Sequence, residues 1–125
     1  MMNAFIGENL DSLELTHQIA DILVEKQGED ILILDLQGLK TFTDYFIICS
    51  GTSRRQLDAL QGAIRETLKQ PSPPILPEGV EGTPESGWIL MDYGGVIVHL
   101  FTAETRRYYQ LEDLWKAGHV VARIQ

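Results

Sequence analysis

The chain has 125 residues, 44% of them hydrophobic, a globular composition with room for one modest core. Eighteen acidic against ten basic residues leave a net charge of -8, which argues against broad contact with a phosphate backbone and favours basic protein partners. The single cysteine, Cys49, excludes an internal disulfide framework, and no run approaches the roughly 18 apolar residues of a membrane span.

Residues 1–10 read as a flexible N-terminal tail without the basic start and long apolar centre of a signal peptide, so a cytoplasmic location is expected. From Asp11 or Ser12 a helix is expected, with Ser12 as its cap and Glu14 favourably placed at its positive end. Leu13, Ile19, Ala20, Leu23 and Val24 supply its apolar stripe, and Gly28 is expected to take the left-handed conformation that ends it. Ile31 to Leu36 is a near-continuous aliphatic run, the pattern of a strand covered on both faces. After a turn over residues 37–41, Tyr45 to Cys49 reads as a second strand, leading through Ser50-Gly51-Thr52-Ser53 into a second helix. Leu57, Leu60, Ala63, Ile64 and Leu68 recur along that helix at helical spacing.

Residues 70–87 contain all five prolines and read as a surface connection, packed at intervals through Ile75, Leu76 and Val80. The stretch from Gly87 to Tyr109 then organises the chain. Trp88 to Met91 and Val96 to Phe101 have strand composition, and Asp92-Tyr93-Gly94-Gly95 supplies a tight hairpin between them. Thr102 or Thr105 caps a short helix with Glu104 at its positive end, and Arg106, Arg107, Tyr108 and Tyr109 cluster beside the sheet edge. Leu111 to Trp115 adds one helical turn, and the tail to Gln125 is weakly patterned. The order αββαββα with a terminal helical turn predicts a single compact α/β (α+β) domain, a mixed sheet with helices on one or both faces.

Three constellations bear on chemistry. Gly51-Thr52-Ser53, at a strand-to-helix junction, has the geometry to hold an anion, although the phosphate-loop lysine is missing and a plain capped turn explains it as well. Asp35, Asp44 and Asp92 stand at strand edges. A two-metal nucleotidyltransferase site needs two acids two residues apart on one strand, and Asp92 has only Leu90 and Gly94 at those positions. His99 lies in an apolar strand, where a hydrogen-bonded structural role is the plainer reading. His17, His119 and Cys49 show no metal-ligand spacing with it, so no metal and no cofactor are expected. What remains is a concentration of Trp88, Tyr93, Tyr108, Tyr109 and Trp115 with Arg106 and Arg107, the residue types that dominate protein interfaces.

The segments EDILILDLQGL (29–39), TDYFIICSGTSRRQLDAL (43–60), GVEG (79–82) and WILMDYGGVIVHLFTAETRRYYQLEDLW (88–115) follow one another in an order that resembles the ribosomal silencing factor, or Iojap-related, family. The resemblance implies a fold related to nucleotidyltransferases but without their catalytic acids, a non-enzymatic role, and a domain over 11–115 followed by a C-terminal extension over 116–125. It also implies binding to the large ribosomal subunit through its protein numbered fourteen, which would block joining of the small subunit sterically and lower translation when nutrients are short. Trp88, Tyr93 and Tyr109 match the family's contact positions, with Arg106 and Arg107 expected to support or contact the partner, and with little direct nucleic-acid contact. Two rival readings are a nucleotide-binding enzyme using the Gly51–Ser53 loop and a homodimerising adaptor in which the aromatic patch pairs with itself.

Overall fold

The computed structural model describes residues 11–39, 43–114 and 118–125. The expected tail over 1–10, part of the turn over 37–41, and Trp115 lie outside the described residues. In chain order the elements are α1 (Ser12–Glu25), β1 (Glu29–Asp35), β2 (Tyr45–Gly51), α2 (Arg54–Lys69), β3 (Gly79–Thr83), a 3-10 turn (Pro84–Ser86), β4 (Trp88–Asp92), β5 (Val96–Thr102), α3 (Ala103–Tyr109), α4 (Leu111–Leu114) and β6 (His119–Ile124). Six strands form one mixed sheet in the order β3-β4-β5-β2-β1-β6, in which only the central pair β2–β5 is parallel.

The strand period of two sorts the apolar residues of the central strands onto two faces. Ile31 and Ile33 of β1, Ile47 and Cys49 of β2, and Val98 and Leu100 of β5 meet Ile19 and Leu23 of α1 and Leu57, Leu60 and Ile64 of α2 in the main core. Their alternates, Leu32, Leu34, Phe46, Ile48, Ile97 and Phe101, form a second cluster closed by Leu36 and Leu111, with Leu39, Trp88 and Leu90 packed against it. The unbroken aliphatic run in β1 is therefore the signature of a strand buried on both sides. Residues from α1 and α2 are absent from the second cluster, so the sheet has a helical face and a barer face.

Several local expectations are corrected. Asp11, not Ser12, caps α1, its Oδ1 accepting from the Leu13 amide at 3.1 Å, because Ser12 is already the first helical residue; the Ser12 hydroxyl donates instead to Asp44 Oδ2 at 2.9 Å. The buried stripe of α1 runs through Leu15, Thr16, Ile19, Ala20, Ile22 and Leu23, while Leu13 and Val24 are 38% and 47% exposed. The left-handed residue after α1 is Gln27 (φ 65°), not Gly28. Gly28 is needed for closeness: a Cβ there would lie 2.5 Å from Cys49 Sγ and 3.3 Å from the Leu23 carbonyl.

Two strands lie where the sequence pattern shows none. The proline-rich connection contains β3, which pairs with β4 from Gly79↔Asp92 to Thr83↔Trp88. The extension set apart at 116–125 contains β6, which pairs with β1 through Leu32↔Arg123 and Ile33↔Ala122, with Ala122 packed on the main core. Both are edge strands held mainly by backbone pairing, and most of their side chains face solvent.

Candidate functional site

On β4, alternation sends Ile89 and Met91 into the main core and turns Trp88 and Leu90 to the barer face, both half-buried. Opposite them on β5 stand Phe101 and His99. The Trp88 indole N–H donates to His99 Nδ1 at 3.2 Å, which fixes the ring and places the histidine proton on Nε2. Burial pushes the His99 pKa down to about 4, so the imidazole is neutral at neutral pH and acts as an acceptor that orients Trp88. Its Nε2 is buried with no hydrogen-bond partner among the described residues.

From this base the rings run outward to solvent. Centroids are 4.7 Å apart for Phe46 and His99, 4.9 Å for Trp88 and Phe101, 4.8 Å for Trp88 and Tyr109, and 5.0 Å for Tyr109 and Tyr108. Tyr109 is 48% exposed and Tyr108 80%. The chain places Tyr109 over Trp88 by clamping the starts of β4 and α3 together. Thr102 caps α3 through the Thr105 amide at 3.3 Å, and the Thr102 amide donates to the Gly87 carbonyl at 3.0 Å. Gly87 (φ 80°) sits so close that a Cβ would clash with the Thr105 hydroxyl, so both its conformation and its neighbours demand glycine. Between the ridge and the β3 edge lies a groove of about 240 Å³ lined by Glu81, Gly82, Ser86, Trp88, Leu90 and Tyr109.

The two arginines divide. Arg106 is 8% exposed; its Nε donates to Glu112 at 3.1 Å and its Nη1 to the Asp30 carbonyl at 2.7 Å and Ser50 Oγ at 2.8 Å. It staples α3 to β2, β1 and α4, whereas Arg107 is exposed. Tyr93 does not join the patch. It continues the Ile89-Met91 alternation into the main core at 8% exposure, and burial raises its pKa to about 12, so its ring is not exposed as those of Tyr108 and Tyr109 are.

The other constellations resolve into local structure. Ser53 caps α2, its Oγ accepting from the Gln56 amide at 3.0 Å, while Gln56 Oε1 accepts from the Thr52 amide at 2.6 Å and the Thr52 hydroxyl at 2.9 Å. Gln56 Nε2 also donates to the Gln27 carbonyl at 3.0 Å, tying the end of α1 to the start of α2. Sequence reasoning missed Gln56, although Ser53 followed three residues later by glutamine is a capping-box pattern. Asp35 and Asp92 each accept a local hydrogen bond, from the Gln37 and Gly94 amides, and Asp44 accepts from the Ser12 hydroxyl at the start of α1. Cys49 is wholly buried and burial pushes its thiol up to about 12. Among the described residues no group of three histidine, cysteine or carboxylate side chains could hold a metal ion, and no helix is long and apolar enough to cross a membrane.

Fold and site together define a small single-domain protein whose mixed sheet is helical on one face and carries an exposed aromatic ridge on the other. The family model described as ribosomal silencing factor during starvation matches residues 9–125. The ribosomal silencing factor of Bacillus subtilis is 41% identical over 91 residues, 73% of this chain and 75% of that protein. The mouse protein named mitochondrial assembly of ribosomal large subunit protein 1 is 34% identical over 100 residues, covering 78% of this chain and 43% of its own length. A crystal structure from Chromobacterium violaceum superposes with a TM-score of 0.78 at 30% identity, covering 92% of this chain and 93% of that one. The chain belongs to the ribosomal silencing factor family, and with it to the ribosome-associated regulators of translation.

Proposed function

We propose that this protein binds the large ribosomal subunit through ribosomal protein fourteen, at the face where the subunits meet, and blocks joining of the small subunit by occupying that space. Translation falls under nutrient limitation as a result, and the mechanism needs no bond-making. The observation that carries this reading is the aromatic ridge Trp88-Tyr109-Tyr108, left open on the barer face of the sheet and braced from beneath by His99 and Phe101. Such a ridge offers rigid apolar area at low entropic cost, the material of an interface anchor. The net charge of -8 suits a basic ribosomal protein and disfavours direct rRNA contact. Family membership and the mouse relative's name support the ribosome as the target.

The test is a sucrose gradient of purified ribosomal subunits mixed with the protein at magnesium that permits joining. Co-sedimentation with the large subunit and depletion of the joined peak are expected. An unchanged joined peak, with no protein on the large subunit, overturns the proposal.

A further inference from the structure

The groove beside Trp88 carries information about what enters it. Its walls are the Trp88 and Tyr109 rings, 4.8 Å apart and tilted by 49°, with Leu90 also lining it. Glu81 faces Leu90 across the β3–β4 pair, so its carboxylate shares the barer face, and among the described residues it is the only charged one lining the groove. Two of the neighbouring polar groups are already committed. The Ser86 hydroxyl bonds to the Thr83 and Trp88 backbones, and the Trp88 indole N–H is held by His99. Glu81 has no salt bridge among the described residues, whose ion pairs are Lys69–Glu66 and Arg106–Glu112.

The geometry points to a groove that receives a basic side chain, arginine or lysine, from the ribosomal partner, with its stem along Trp88 and Leu90 and its cation between the aromatic faces and Glu81. This deepens the proposed function and rests on it. An aliphatic stem ending in a cation matches apolar walls that close on a single carboxylate, and aromatic faces attract cations. Arginine fits best, because its planar guanidinium both stacks on rings and forks onto a carboxylate. A neutral apolar side chain would strip water from Glu81 and return nothing, and an acidic one would repel it.

The experiment measures affinity of the full chain for purified large subunits across a salt series, for wild type, Glu81→Gln and Glu81→Lys, with thermal unfolding confirming that each variant folds. Glu81→Gln is expected to weaken binding about tenfold and to flatten the salt dependence, with Glu81→Lys weaker still. Wild-type binding that neither substitution changes overturns the groove assignment and leaves the proposed function standing. Absent wild-type binding overturns the proposed function itself. A wild-type dimer that Glu81→Lys dissolves, with subunit binding unaffected, would give the groove to a second copy of the chain and also overturn the inference.

Discussion

Trp88 sits where core and surface meet, stacked on Phe101 beneath and in tilted contact with Tyr109 above, with its N–H fixed by His99. Trp88→Ala or Tyr109→Ala in a folded variant should each cost about 2 kcal/mol or more in large-subunit binding, measured by co-sedimentation or titration. Unchanged binding in both would remove this surface from the mechanism. The His99 imidazole makes a separate prediction. Its pKa lies near 4 when folded against 6.5 ordinarily, so between those values the unfolded chain takes up a proton that the folded chain refuses. The stability contribution of neutral His99 is complete above pH 6.5 and declines as pH falls toward 4, by about 3 kcal/mol in total. Thermal unfolding at neutral pH and in mild acid should show this loss, and His99→Phe should flatten it. Tyr93 shows how the residue scale misleads: as a ring in an aromatic-rich segment it reads as an anchor, yet a period of two from Ile89 and Met91 already assigns it to the core. The partition of Trp88, Leu90 and His99 from Ile89, Met91 and Val98 was readable in the same alternation.

Neighbouring positions on α3 have opposite fates, because a helix rotates successive residues by about 100°. Arg106 turns inward onto Asp30, Ser50 and Glu112, and Arg107 turns out. Arg106→Ala should destabilise the fold by about 3 kcal/mol, since it orphans Glu112, the buried Ser50 hydroxyl and the Asp30 carbonyl, and urea unfolding measures this directly. Arg107→Ala should leave the urea midpoint where it is; equal midpoints for both variants would contradict the staple. Sequence patterning found the elements that bury side chains: β1, β2, β4, β5 and the first two helices declare themselves through apolar period or run. It missed β3 and β6 because an edge strand is specified largely by backbone pairing to a neighbour, which no side-chain period records. Gly79-Val80-Glu81-Gly82-Thr83 looks like a linker for that reason, and with β3 unseen the groove beside Glu81 was invisible.

At the scale of the molecule, the two sheet faces divide the labour. One is filled by α1 and α2; the other holds the smaller buried cluster around Phe46, Ile48 and Phe101 and leaves Trp88, Leu90 and Tyr109 partly open. In the proposed function, recognition therefore draws on strand residues that alternate with those packed under α1 and α2.

The parallel pair at the centre of the sheet has a consequence for how the protein comes into being. Tyr45 pairs with Val96 and Gly51 with Thr102, contacts that bridge the middle of the chain, and β1 waits still longer for β6. A nascent chain that ends before Val96 already has α1 and α2 to cover one face of β1 and β2, but β2 lacks its central neighbour. Such long-range closure makes folding slow relative to helical bundles and defers it until β5 and β6 have been made. Because the aromatic ridge is assembled on β4, β5 and α3, the surface proposed to meet the partner takes shape only after all three have been made.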